Sequence, residues 1–291
     1  MARSIVVPVQ DGRLEVQILG SGAPVVIVQT ALTADELRPL AERIASRGGY
    51  RVLHYHRRGY AGSGPALPGA SVTDDAADCR AVMEALDVVP AHVLGASYSA
   101  AIALALASSS AECVQTLTLL EPPPVHVPSA AQFRATSARL LEAFHRDGPG
   151  AALEAFMTML VGSGWRGECE RDLPGSVVAM ERDATTFFAS DLPALLDWDF
   201  GADDAARIRC PVLYVGGSES GPWFAEVRTQ LRQWLPRVED TTVIGAGHLL
   251  ACTHPSNVAT LVVDFLRRHD GQASTTQPNS KQTTSPPPDA H

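Results

Sequence analysis

Apolar and polar positions in this chain alternate between short β-branched runs and longer stretches with helical spacing. Residues 5–10 and 13–19 are apolar-rich runs on either side of Asp11-Gly12, a pattern that predicts a hairpin with a two-residue turn. After a Gly-Ser-Gly-Ala-Pro turn, residues 25–28 read as a fully buried strand. Thr33 and Glu36 have the spacing of a capping box. Leu37, Leu40, Ala41 and Ile44 then fall on one face of the helix this predicts. Gly48-Gly49 ends that helix and a strand begins at residues 51–54. Beyond a Gly- and Pro-rich loop, 56–69, the positions of Ala76, Cys79, Met83 and Leu86 mark a second amphipathic helix.

The order continues with a strand at 91–94, a short apolar helix at 97–107 that reads as buried, and a strand at 116–120. From 122 to 204 strand signals vanish, and Leu153, Phe156, Met157 and Leu160 repeat at helical spacing. Strand 212–215, helix 222–235, strand 238–244 and helix 255–268 close the pattern; the last carries Val258, Leu261, Val262, Phe265 and Leu266 on one face. Two antiparallel strands followed by strand–helix units predict a mostly parallel eight-stranded sheet covered by helices on both faces. The expected organisation is a core in two parts, 1–121 and 205–270, with a helical insertion at 122–204 after the sixth strand. Residues 271–291, with three consecutive prolines and little to bury, are expected to be disordered.

Composition narrows the function classes. With 45% hydrophobic and 19% charged residues over 291 positions, the chain suits one large domain or a core with an insertion. A formal charge of -9, and no basic run longer than pairs such as Arg57-Arg58, argue against nucleic acid or an anionic membrane as partner. Cys79, Cys113, Cys169, Cys210 and Cys252 are scattered, without CxxC or a histidine at ligand spacing. They read as reduced, buried thiols, and a cytoplasmic location is expected. Neither a signal peptide nor an apolar run of about 18 residues is evident, so no membrane segment is expected.

Two segments carry chemistry. Gly95-Ala96-Ser97-Tyr98-Ser99-Ala100 joins a predicted strand to a predicted helix, where a tight turn between small residues lifts a serine hydroxyl above the sheet. The same turn puts the Tyr98 N–H at a helix N-terminus, suited to a developing oxyanion. The competing reading is that Ser97 merely caps the helix. Gly245-Ala246-Gly247-His248 follows the last strand, and its glycines permit the close loop a general base needs. Serine and histidine in this chain order, both at strand ends, make each signal more specific.

These landmarks resemble those of the α/β-hydrolase superfamily. Gly49-Tyr50-Arg51-Val52-Leu53 leads to Gly59-Tyr60-Ala61-Gly62-Ser63-Gly64, then to the turn at Ser97 and the loop at His248, in the family's order. The resemblance implies Ser97 as nucleophile, His248 as base, an oxyanion hole from the N–H groups of Ala31 and Tyr98, no metal and no organic cofactor. Three positions depart from the family pattern. Gln29-Thr30-Ala31 stands where His-Gly is usual, and His56 stands for an aspartate before the Arg-Gly turn, read as a hydrogen-bonding substitution. Ser220 occupies the usual acid position. Two carboxylates compete for that role: Glu121, at the end of the sixth strand before Pro122-Pro123-Pro124, and Glu219. Glu121 is preferred, because the prolines hold the chain extended and away from helix. Its place is similar to that of the acid in hydrolases that open the lactone of zearalenone.

The insertion holds six of the eight phenylalanines, which suggests an apolar roof and hence an apolar small-molecule substrate. Trp165, Phe187 and Phe188 are the candidate pocket residues. The expected reaction is cleavage of a carboxylic ester or lactone through a Ser97 acyl-enzyme. The alternatives are a carbon–carbon bond hydrolase or cofactor-free lyase using the same pocket, and a slow-turnover ligand-binding receptor.

Overall fold

The structure is a computed structural model describing residues 3–270; the tail expected to be disordered, 271–291, lies outside the described residues. Eight strands form one sheet: β1 (Arg3–Val9), β2 (Gly12–Gly20), β3 (Ala23–Val28), β4 (Tyr50–Tyr55), β5 (Ala91–Ala96), β6 (Val114–Leu120), β7 (Val212–Gly217) and β8 (Glu239–Val243). Their spatial order is β1-β2-β4-β3-β5-β6-β7-β8. The β1–β2 and β2–β4 pairs are antiparallel and every other pair is parallel. Val9 pairs with Gly12, so the first turn consists of Gln10 and Asp11, one residue earlier than the sequence suggests. Asp11 takes the positive φ (58°), which a short polar side chain tolerates.

Side-chain alternation along the strands divides the core in two. Val26, Val28, Leu53, Tyr55, Val93, Leu117 and Leu119 face α2 (Val72–Ala85) and α3 (Tyr98–Ser109). Val25, Ile27, Val52, Leu94, Leu213 and Val215 face α1 (Arg38–Ser46) and the last helix, α11 (Pro255–His269). Residues Tyr98 through Ala107 are all buried, which explains why α3 shows no polar face. The expected capping box of Thr33 and Glu36 does not form. Helix α1 starts later, with Leu37 at its N-cap and Pro39 in its first turn, which frees both polar side chains for the site described below.

Between β6 and β7 the chain is helical: α4 (Ala130–Asp147), α5 (Pro149–Leu160), α6 (Trp165–Asp172), α7 (Ser176–Thr186), a π-helical turn Phe187–Asp191, α8 (Leu192–Asp197) and α9 (Ala202–Ala205). This segment has a core of its own, including Leu153, Met157, Trp165, Met180 and Phe188, which also takes in Leu32 from the loop after β3. A buried ionic network ties it to the sheet. The Arg57 guanidinium, just beyond β4, donates to both oxygens of Asp191 (2.6 and 3.1 Å) and to Asp75 of α2 (2.9 Å). It also lies 4.4 Å from the centre of the Tyr98 ring. Among the described residues no helix is long and apolar enough to cross a membrane.

Candidate active site

Four loops at the carboxyl ends of the strands meet over the sheet, those after β3, β5, β6 and β8. Ser97, between β5 and α3, has φ 48° and ψ −121°. Its side chain makes no capping hydrogen bond, so the helix-cap reading fails. Only small residues allow this turn. A Cβ on Gly95 would sit 2.2 Å from the Ser99 carbonyl oxygen, so strand and helix touch there backbone to backbone. Ser99, where the family motif has glycine, makes its own bonds inside the turn. Its hydroxyl accepts from the Ala96 N–H (2.9 Å) and donates to the Ala96 carbonyl (3.0 Å).

His248, on the loop after β8, donates its Nδ1–H across 2.8 Å to Oε2 of Glu121, which is 1% exposed at the end of β6. The other oxygen, Oε1, accepts from the Gly217 N–H at 2.7 Å. Glu121 has φ 43°, an uncommon conformation for a side-chain-bearing residue, held here by those two contacts. Gly217 is needed because the His248 loop crosses it closely: a Cβ there would meet the Ala246 carbonyl at 2.2 Å. Glu219 lies beside the His248 loop but is not engaged with the imidazole. It is exposed, its backbone N–H donates to the Ala246 carbonyl, and its side chain makes no bond to His248. Phe224 of α10 (Pro222–Trp234) stacks on the His248 ring, centroids 4.2 Å apart and planes at 18°. Sequence reasoning missed this residue, since nothing local marks a phenylalanine that caps an imidazole.

The loop after β3 replaces the usual His-Gly with a different set of bonds. Gln29 donates to the Thr30 carbonyl (2.9 Å) and accepts from the Arg57 N–H (2.7 Å), and Thr30 donates its hydroxyl to the Ala96 carbonyl (2.8 Å). The loop is thereby fastened to the Ser97 turn. The backbone N–H groups of Ala31 and Tyr98 have no acceptor among the described residues.

Ser97, Tyr98, Ala31 and His248 line one cavity of about 90 Å³, which continues into a larger space of about 710 Å³ through shared walls at Thr33, Glu36, Met180, Phe224 and His248. Its surface is mainly apolar, with Phe133, Phe156, Met157, Phe187 and Leu192 from the helical segment. Of the three aromatic residues proposed from the sequence, Phe187 lines this cavity. Trp165 and Phe188 do not; both are correctly placed only as core, packed inside the helical segment at 0% and 1% exposure. Large aromatic side chains contribute most where they are wholly enclosed, here among Leu140, Leu153, Met157 and Met180. Glu36 is the unexpected wall residue. Its carboxyl has no hydrogen-bond partner among the described residues, and burial pushes it up to about 7, opposed by the nearby His248.

Comparison with known proteins agrees with this architecture. The family model for the alpha/beta hydrolase fold matches residues 24–255. A curated relative, "Putative carbamate hydrolase RutD" of Azorhizobium caulinodans, is 25% identical over 271 residues, covering 88% of this chain and 95% of its own. An alpha/beta hydrolase from Sphaerobacter thermophilus superposes with a TM-score of 0.71 at 28% identity, over 90% of this chain and 100% of that one. The enol-lactonase from Burkholderia xenovorans gives 0.74 at 20% identity, again over 90% and 100%. With the family match spanning both halves of the sheet and the loops of Ser97, Glu121 and His248, the chain belongs to the α/β-hydrolase fold family.

Proposed function

We propose that this protein is a serine hydrolase that cleaves a carboxylic ester or lactone of a mainly apolar small molecule through an acyl-enzyme on Ser97. The observation that carries this reading is the 2.8 Å contact of Glu121 with His248 Nδ1 beside a strained, uncapped Ser97 in the same cavity. Glu121 fixes the tautomer of His248, leaving Nε2 to take the Ser97 proton as the hydroxyl attacks the carbonyl. The N–H groups of Ala31 and Tyr98 receive the oxyanion, each contributing about 3 kcal/mol to the transition state. His248 then returns the proton to the leaving oxygen and activates water to release the acyl group. The helical segment 122–204 acts as a cap whose apolar surface, Phe187 included, takes the body of the substrate. On that wall Glu36 is the polar handle, placed to hydrogen-bond a polar substituent on the substrate.

The reading is supported by the enol-lactonase likeness, and a carbamate, named for the curated relative, would pass through the same carbonyl addition. The test is intact-protein mass spectrometry after treatment with a small fluorophosphonate. One adduct on the wild type, absent from Ser97→Ala and His248→Ala, is expected. A folded wild type that takes no adduct overturns the acyl-enzyme and turns the reading to lyase or receptor.

A further inference from the structure

A second convergence of donor side chains lies at the carboxyl end of β4, outside the cavity of Ser97. Alternation puts His54 on the α1 side of the sheet with Val52, and His56, two positions on, meets it edge to face with ring centroids 5.2 Å apart. The neighbouring parallel strand, β3, leads into the turn that carries Asp35 to the same point. One ligand-capable atom each from Asp35, His54 and His56 lie within 4.8 Å of one another.

His56 Nε2 is 3.2 Å from Asp35 Oδ1, and its Nδ1 is 3.2 Å from Glu15 Oε2. His54 is 0% exposed and neither ring nitrogen has a hydrogen-bond partner. A buried imidazole with both nitrogens unpaired carries the desolvation cost of each polar group with nothing to offset it. No hydrogen-bonding group among the described residues compensates either nitrogen.

We propose that Asp35, His54 and His56 form a binding site for a divalent transition-metal ion, Zn²⁺ foremost, with Glu15 orienting His56 from behind. Two imidazoles and a carboxylate are a borderline-soft donor set that suits Zn²⁺ and disfavours Mg²⁺ or Ca²⁺. The 3.2 Å between His56 Nε2 and Asp35 Oδ1 is close to the edge of a tetrahedron with metal–ligand bonds of about 2.0–2.1 Å, roughly 3.3 Å. Closing the widest separation onto that geometry needs side-chain rotation on the order of 1 Å.

Glu15 accepting from Nδ1 commits the Nε2 lone pair to the ion, the role a carboxylate commonly plays behind a ligating histidine. The Asp35 side chain is 37% exposed, which gives the ion a way in and a water the fourth position. The cations and donors now facing Asp35 are weak competitors: Arg38 at 3.8 Å, half in solvent, and the Gln17 amide at 3.3 Å. None of the three ligands lines the cavity of Ser97. The ion would therefore act on the site only by pinning the turn between β3 and α1, which also carries Ala31 and Glu36.

The experiment uses the full chain, stripped with a chelator and titrated with Zn²⁺ in a calorimeter, with metal content measured after gel filtration. One equivalent bound with submicromolar affinity is expected, together with the visible absorption of four-coordinate Co²⁺ when that ion is substituted. Asp35→Asn and His54→Phe, which keeps the buried volume filled, should each weaken Zn²⁺ by about 100-fold or more, and Glu15→Gln by about 10–100-fold. Asp35 lies on a partly exposed turn, so its variant reports even where His54→Phe does not fold. Absence of binding to folded wild type at 100-fold molar excess of Zn²⁺ overturns the proposal. Undiminished binding in Asp35→Asn overturns it equally.

Discussion

Replacing Glu121 by glutamine separates the role of its charge from that of its shape. In the native site Oε1 accepts from the Gly217 N–H and Oε2 faces His248 Nδ1. A glutamine in the same rotamer keeps the first bond only with its carbonyl toward Gly217, because the opposite orientation sets two donors against each other. Its NH₂ then points at Nδ1 and forces the imidazole to accept there. The proton moves to Nε2, where, on the proposed mechanism, His248 can no longer take one from Ser97. An acid-to-amide exchange of this kind lowers kcat by about 10⁴, equivalent to about 5.5 kcal/mol of transition-state stabilisation. Both hydrogen bonds persist in number, so the fold should lose only about 1 kcal/mol or less. The assay is steady-state hydrolysis of a short-chain aryl ester, with thermal unfolding measured on the same preparations and Glu219→Gln as the comparison. Turnover of Glu121→Gln within tenfold of wild type would refute the assignment. So would an equal or greater loss in Glu219→Gln, since that exposed side chain makes no bond to the imidazole.

Three further outcomes follow from the packing. The Glu36 carboxyl rises from its ordinary 4.5 to about 7 through burial, so its neutral form is favoured in the folded protein. That contribution to stability is complete below about pH 4.5 and is lost as pH rises through about 7. Glu36→Gln should thus gain on the wild type by up to about 3 kcal/mol between pH 5 and pH 8, and a gap in unfolding midpoint that does not widen with pH counts against it. Asp191→Ala leaves the buried Arg57 short of its bidentate partner and should cost about 3–5 kcal/mol in urea unfolding. A loss below 1 kcal/mol would mean that the network does not hold the helical segment to the sheet. In Gly95→Ala the new methyl would stand 2.2 Å from the Ser99 carbonyl, so the variant should be insoluble or lose fluorophosphonate labelling. A soluble variant that labels normally shows that the turn can relax.

What was legible in the chain was everything encoded at short range. The strand and helix periods, the small residues around Ser97 and the glycines before His248 are local, because each reflects which neighbours a backbone conformation tolerates. Those signals located all eight strands, the helical stretch between β6 and β7, and the loops that meet at the cavity. Their errors were local too, such as a turn displaced by one residue at Gln10-Asp11 and a capping box at Thr33 and Glu36 overruled by the later start of α1.

Tertiary structure decided which side chains meet. Glu121 and His248 are 127 positions apart, and only the order β6-β7-β8 and the bare backbone at Gly217 bring the carboxylate to the imidazole rather than Glu219. The same holds for Phe224 on His248, for Glu36 as a cavity wall, and for Trp165 and Phe188 turning into the core of the helical segment. His54 and His56 are adjacent in pattern, yet the parallel pairing of β3 with β4 is what delivers Asp35 to them. Periodicity assigns a residue to a face of its own element. Contact with another element depends on sheet order and register, which are set by burying all the apolar faces at once and leave no mark at any single position.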